Sequence, residues 1–216
     1  MVACGDADGA VTGNTRRFGA SLDKIKQVVK PRRGEIMFGL NLIVHKGKSI
    51  FVGDTSVHEY PNAKQLSEIA ISAARVVKLF GFDPKVAFVS HSTFGQPLTS
   101  RTKHIKDAVE ILKDKKVDFK FDGDMQPDVA LDEEYKSLYP FSEIVGSANI
   151  LIMPGQHSAA ISYKMMKSFG DSKVIGPLLI GLGLPIEIAP LRSSTSEIIN
   201  LASIAAYSAD IIDYKK

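Results

Sequence analysis

Between positions 49 and 90 the chain changes hydrophobic period twice, and that change fixes the class of fold. Ser49-Ile-Phe-Val52 reads as a strand. Leu66, Ile69, Ala70, Ala73, Ala74 and Val77 then recur at helical spacing, and Lys85-Val-Ala-Phe-Val-Ser90 is a short buried strand. Strand, amphipathic helix and strand in this order describe a parallel crossover, the unit of α/β proteins. The spacing continues: Thr102 to Lys116 presents Ile105, Ala108, Val109 and Leu112 on one helical face, Phe119-Lys-Phe121 is the next strand, and Ala148 to Met153 is another buried one. Ser158 to Phe169 and Glu197 to Ala209 read as helices, and Pro177-Leu-Leu-Ile180 and Pro185-Ile-Glu-Ile188 as short strands.

Local signals place the boundaries. Ile36 to Val44 and Ser49 to Val52 flank the turn His45-Lys-Gly-Lys48, a predicted hairpin. Asn62 with Gln65 forms a capping-box pattern, and the helix is expected to stop near Gly81. The first thirty-five residues are turn-rich, at Gly5-Asp-Ala-Asp-Gly9 and Thr12-Gly13, with one short helix from Leu22 to Val29. We expect 1–45 with 177–216 to form one subdomain and 46–176 a second.

Composition excludes several classes. A net charge of +3, with basic residues dispersed apart from Lys30-Pro-Arg-Arg33, leaves no nucleic-acid footprint. Cys4, the one cysteine, permits no intrachain disulfide. No stretch approaches the roughly 20 apolar residues of a membrane span, and no signal peptide is read, so a cytoplasmic setting without membrane contact is expected. The five histidines are far apart, with no metal-ligand spacing. Gly181 and Gly183 lack the third glycine of a dinucleotide fingerprint and read as a turn; a P-loop and a nucleophile elbow are absent.

Four polar loops remain as candidate sites, each with a structural alternative. Asp122, Asp124 and Asp128 crowd into a turn carrying Gly123 and Pro127; they form a strand-end ligand site or a solvated acidic turn. Ser90-His-Ser-Thr-Phe-Gly-Gln96 is an anion-binding loop or a plain hydroxyl-rich one. Pro154-Gly-Gln-His-Ser158 opens a helix, where free amides hold an anionic ligand or Ser158 caps the terminus. Arg192 beside Ser193, Ser194 and Thr195 is a phosphate site, or Ser194 and Glu197 form a capping box.

In this order the loops resemble the phosphate acetyltransferase and butyryltransferase family. The resembling pieces are Gly5-Asp-Ala-Asp-Gly9, Phe51-Val-Gly-Asp-Thr55, Pro84 to Thr93, Asp122 to Ala130, Gly146-Ser-Ala-Asn149, Ile175-Gly-Pro-Leu178 and Ile198-Ile-Asn-Leu-Ala202. The initial Gly-Asp-Ala-Asp run and Tyr139-Pro-Phe141 look most like the version of this domain found in bacterial NADP-dependent malic enzymes, at their C-terminus. The resemblance implies a three-layer α/β/α fold with a mostly parallel sheet, of the isocitrate and isopropylmalate dehydrogenase type. It implies a coenzyme A or acetyl-CoA cleft between two subdomains, and homodimers or larger homo-oligomers. NADP and a divalent metal would belong only to a malic-enzyme part outside this chain.

The same resemblance assigns ligand contacts to Ser92, Thr93, Gly95, Gln96, Asp124, Gln126, Gln156, His157, Ser158 and Arg192. If the domain is catalytic, Arg192 neutralises phosphate and Glu197 or Asp124 is the base. Three departures from the active pattern weigh against catalysis. Leu191 replaces the serine before Arg192, with Glu197 about one residue short of the family's aspartate; Lys30 replaces an arginine and Thr55 a cysteine. Lysine cannot form the bidentate fork of arginine. The family's longer members also imply a first lobe ahead of Met1, so the chain is expected to be a fragment or the product of a split gene.

Overall fold

A computed structural model describes residues 1–95 and 99–211, with the side chains of Ser100, Arg101 and Lys136 left aside. In chain order the elements are β1 (Ala10–Gly13), α1 (Phe18–Val28), β2 (Phe38–His45), β3 (Lys48–Gly53), α2 (Ala63–Leu79), β4 (Lys85–Val89), α3 (Ser100–Lys115), β5 (Lys120–Met125), α4 (Pro127–Leu131), α5 (Glu133–Ser137), β6 (Ile150–Ile152), α6 (Gln156–Ser168), β7 (Lys173–Ile180), β8 (Ile186–Ala189) and α7 (Thr195–Ile211). A six-stranded sheet has the order β5-β4-β6-β3-β2-β7, and β1 pairs with β8 in a separate parallel ribbon. Strands β3, β6, β4 and β5 run parallel to one another, while β2 is antiparallel to both β3 and β7.

The antiparallel strand follows from the hairpin. His45 pairs with Lys48 across Lys46 and Gly47, both at positive φ (46° and 77°). Two such residues make the turn whose twist matches that of the flanking strands. Helix α2 begins in the expected capping box: Gln65 N donates to Asn62 Oδ1 at 2.9 Å and Asn62 N to Gln65 Oε1 at 2.9 Å. It ends before Gly81, which takes φ 84°.

Successive residues of each parallel strand face opposite sides of the sheet. Phe51, Val86, Phe88, Ile150 and Ile152 enter one core with the apolar faces of α2 and α3. Val52, Ala87, Val89, Leu151 and Met153 enter another, against Val129, Ala130 and Ala159 of α4 and α6. The sheet is thus covered on both faces, which gives the three-layer α/β/α architecture. A third core, around Leu22, Ile25, Leu179 and Ile188, fixes α1 and the β1–β8 ribbon to the β7 edge.

Several elements differ from the sequence reading. Strand β5 does not stop at Phe121 but runs on through Asp122-Gly-Asp to Met125, because Lys85 to Val89 supply ladder partners throughout. Strand β7 begins at Lys173, with Pro177 inside it; the register shifts between Leu40 and Leu42 opposite Gly176-Pro177. Such an irregularity accommodates a residue that cannot donate to the ladder. Strand β1 includes Thr12-Gly13, read from the sequence as a turn, and α1 begins at Phe18 rather than Leu22. Strands β2 and β3 pair antiparallel from Leu40–Gly53 to His45–Lys48 within the six-stranded sheet.

Candidate functional site in the strand-end crevice

The C-terminal ends of parallel strands are where open α/β sheets hold ligands. Here the ends of β3, β4, β5 and β6 lie along one edge, and two buried carboxylates organise the loops that leave them. Asp54, directly after β3, is 1% exposed. Its Oδ1 accepts from Gly39 N (2.9 Å), Ser56 N (2.8 Å) and Val57 N (3.1 Å), and its Oδ2 from His58 N at 2.7 Å. His58 Nδ1 also lies 2.7 Å from Oδ2, a distance that puts the proton of the neutral ring on Nδ1. Thr55 Oγ1 adds a bond to Gly39 O at 3.2 Å. This loop is thereby bound to the start of β2.

Asp124 does the same on the other side of the crevice. It is 2% exposed; Oδ2 accepts from Ser92 Oγ and Oδ1 from Gly95 N at 2.8 Å. Phe94 N donates to Asp124 O at 2.6 Å and Gln126 N to Thr93 Oγ1 at 3.3 Å. Ser92, Thr93 and Gly95 of the candidate site are therefore drawn together with Asp124 and the backbone of Gln126. Gln96 lies outside the described residues. The other two acidic residues go elsewhere: Asp122 Oδ2 accepts from Ser142 Oγ (2.7 Å) and Glu143 N (3.0 Å), and exposed Asp128 bonds Val129 N at 2.9 Å. The three carboxylates do not act as one cluster, and two of them belong to a strand rather than a turn.

At the end of β6 the chain enters α6 through Gly155. A Cβ there would lie 2.5 Å from Glu59 O, so only glycine permits this approach of the two loops. Gly155 is the N-cap of α6 and has no side-chain cap bond; Ser158, expected as the cap, instead donates from Oγ to Gly155 O at 2.8 Å. Gln156 N donates to His58 O at 3.2 Å. His157 sits 3.3 Å from Glu59 Oε1 and stacks on Tyr60, with ring centroids 6.2 Å apart. A cleft of about 500 Å³ opens here between Ser90, His91, Pro127, Met153, His157 and Ser158. Its lining includes hydroxyls, imidazoles and the start of a helix, a setting that suits an anionic or carbonyl-bearing ligand.

Arg192 and Glu197 stand apart from that cleft. Arg192 is exposed beyond β8 at φ 62°, its N donating to Asn14 O at 3.1 Å. Its guanidinium makes no hydrogen bond or ion pair among the described residues. Glu197 completes the capping box of α7: Ser194 N donates to Oε2 at 2.8 Å and Glu197 N to Ser194 Oγ at 3.2 Å. Lys167 Nζ reaches Oε1 at 2.6 Å. The Lys167 hydrogen bond, followed by that from Ser194 N, holds the Glu197 carboxyl below its ordinary value. Lys167 is ten residues from His157, about 15 Å along α6, so Glu197 is tied to the far end of the helix that opens at the cleft.

Sequence reasoning did not single out Asp54, His58, Glu59 or Tyr60. A signal existed for Asp54: an aspartate after a strand, followed by Thr55-Ser56, is the pattern of a side chain that gathers the next backbone amides. Among the described residues no group of three or more His, Cys, Asp or Glu side chains is placed to hold a metal. Nor is any helix there long and apolar enough to cross a membrane.

The family model for phosphate acetyl/butaryl transferase matches residues 1–206. The NADP-dependent malic enzyme of Rhizobium meliloti (strain 1021) is 44% identical over 209 residues, covering 97% of this chain and 28% of that protein. The phosphate acetyltransferase of Bacillus subtilis (strain 168) is 31% identical over 211 residues, covering 97% of this chain and 65% of that one. The crystal structure of a phosphotransacetylase from Streptococcus pyogenes superposes with a TM-score of 0.90 at 31% identity, over 97% of this chain and 65% of its own. The chain thus spans little more than a quarter of that malic enzyme and just under two thirds of the transferases. With a match running from Met1 to Ala206 and the same strand-end architecture, the chain belongs to the phosphate acetyl/butaryl transferase family.

Proposed function

We propose that this chain is a phosphotransacetylase-like binding module that takes up acetyl-CoA as a regulatory ligand and does not itself transfer the acyl group. Its setting would be a cytoplasmic, homo-oligomeric NADP-dependent malic enzyme, a malate oxidoreductase whose nicotinamide and metal chemistry lies in other parts of the protein. One observation carries the reading: both carboxylates available as a base are already committed. Asp124 is buried on Ser92 Oγ and Gly95 N, and Glu197 is held by Lys167 and its helix cap. A general base for a thiol must be free to take a proton and within reach of it. Neither group meets that condition; Asp124 instead holds the Ser92–Gly95 loop, and Glu197 holds the start of α7.

In this reading the acyl and phosphate groups of the ligand meet Ser92, Thr93, Gly95, Gln96, Gln126 and the α6 start at Gln156, His157 and Ser158. Arg192 supplies a cation for an outlying phosphate. Regulation then follows from differential affinity of the ligand for two states of the parent enzyme. The second reading, an active phosphate acetyl- or butyryltransferase, draws on the exposed Arg192 guanidinium, which makes no hydrogen bond or ion pair among the described residues and is a ready partner for inorganic phosphate. Thiol release from acetyl-CoA with phosphate separates the two. The binding reading expects no release above the uncatalysed rate; an enzymatic rate abolished by Arg192→Ala establishes the transferase instead.

A further inference from the structure

A second cavity, of about 250 Å³, lies between β7, β8 and the C-terminal halves of α2 and α7. It shares no lining residue with the strand-end cleft. Val76, Phe80, Leu178 and Ile204 give it apolar walls. An apolar cavity of about 150 Å³ already admits benzene, so this one has room for a six-membered ring with a short substituent.

One side chain breaks the apolar lining from inside. Glu187 faces the cavity and is 5% exposed. Its Oε2 accepts from Leu179 N at 2.9 Å. Oε1 makes no hydrogen bond and is not among the buried unpartnered atoms of the described residues, so it keeps open surface on the cavity side. Burial pushes this carboxyl up to about 8, opposed only by the Leu179 bond, so at neutral pH it is an uncharged acid. The oxygen that accepts from Leu179 N is then the carbonyl oxygen, and Oε1 carries the proton. An O–H donor thus meets apolar walls with no acceptor. Two other polar side chains of the lining are engaged elsewhere. Tyr207 donates its hydroxyl to Leu79 O at 3.3 Å, and Arg75, 49% exposed on the solvent side, lies 2.8 Å from Glu35 Oε2.

We propose that this cavity is a second ligand site, for a small uncharged molecule with an apolar ring and a carbonyl group, its ring between Val76, Phe80 and Ile204 and its carbonyl oxygen accepting from Glu187 Oε1. Such a ligand gives the buried donor its missing partner. Being uncharged, it leaves water for apolar walls at little cost. A hydrocarbon of the same shape fills the space but leaves the donor unpaired.

The test is a nuclear magnetic resonance titration of the chain at pH 7 with acetophenone, carrying carbon-13 at the carbonyl, and with its hydrocarbon isostere α-methylstyrene. Amide shifts should fall in 178–187 and 204–208 and spare 153–162. The carbonyl resonance of bound acetophenone should stay close to its position in water, where it accepts hydrogen bonds, and away from its position in hexane. Glu187→Leu should lower the ratio of acetophenone to α-methylstyrene affinity about tenfold, whereas Glu187→Gln, whose amide donates in place of the acid, should keep it. The shift map and the carbonyl resonance need only the wild-type protein, so they decide the matter whether or not a variant folds. No shifts in 178–187, a bound carbonyl resonance at the hexane position, or a ratio unchanged in a folded Glu187→Leu variant overturns the proposal.

Discussion

Replacing Asp54 by asparagine asks whether one buried carboxylate really holds the loop after β3. In the native protein its two oxygens receive four backbone N–H groups and the ring of His58. An amide has one acceptor oxygen. Placed with that oxygen toward Gly39, Ser56 and Val57, it aims an NH2 at His58 N–H; turned over, it opposes three donors. The first arrangement is the cheaper one. His58 can then accept through Nδ1 by changing tautomer, yet its own N–H is left buried against a donor, at a cost of about 1–3 kcal/mol. The three remaining bonds lose their charge assistance, at roughly 0.5–1 kcal/mol each, partly offset because no charge is buried any longer. A net loss of about 3 kcal/mol results. The chain has no tryptophan, so urea unfolding is best followed by far-UV circular dichroism. With a slope of about 2–3 kcal/mol/M, the midpoint should move down by about 1 M at unchanged slope. Asp128→Asn, at an exposed residue, serves as the control with a change within about 0.5 kcal/mol. A midpoint shift for Asp54→Asn no larger than the control's refutes the assignment.

Three further outcomes are expected. Glu187 has a folded-state value raised to about 8 from 4.5, so its contribution to stability is fully present below 4.5 and lost as pH rises through 8. The loss is on the order of 4 kcal/mol, and Glu187→Gln should flatten the dependence of unfolding free energy on pH between 5 and 9; an unchanged slope contradicts the burial argument. Ser92→Ala removes a donor from Asp124 and leaves a buried carboxylate oxygen unpaired, with an expected cost of about 1–3 kcal/mol in the same urea assay; no measurable cost contradicts the loop-holding role of Asp124. Gly155→Ala would set a methyl 2.5 Å from Glu59 O, so the loops must separate, with a loss of about 1–3 kcal/mol and altered amide shifts at His58 and Glu59; a neutral substitution shows the approach to be looser than described.

The sequence was most informative where structure is decided locally. The Lys46-Gly47 turn, the Asn62–Gln65 capping box and the Ser194–Glu197 capping box are each settled within a few residues, and each forms as read. The apolar face of α2 was likewise legible, because six residues at helical spacing have only one way to be buried together. What escaped depends on partners distant in sequence. Asp122, Asp124 and Asp128 look alike in a row, yet their roles are set by Ser142, by Ser92 and Gly95, and by Val129 respectively. Gly123 suggested a turn, but β4 offers a ladder along the whole of β5, and pairing overrode the local signal. Strand β1 finds its partner at Ile186 to Ala189, almost the length of the chain away. Glu187 shows the same limit: alternation in Pro185-Ile-Glu-Ile188 would turn it outward, but α7 and β7 cover that face too.

Acetyl-CoA binding in the strand-end cleft is the central claim, and a calorimetric titration of the intact chain tests it most directly. The proposed site predicts one saturable site for acetyl-CoA and its loss in Ser162→Trp, whose indole would fill the cleft beside His157 and Ser158. Circular dichroism would verify that the variant is folded. Absence of heat in the wild type, or equal binding by a folded Ser162→Trp variant, contradicts it.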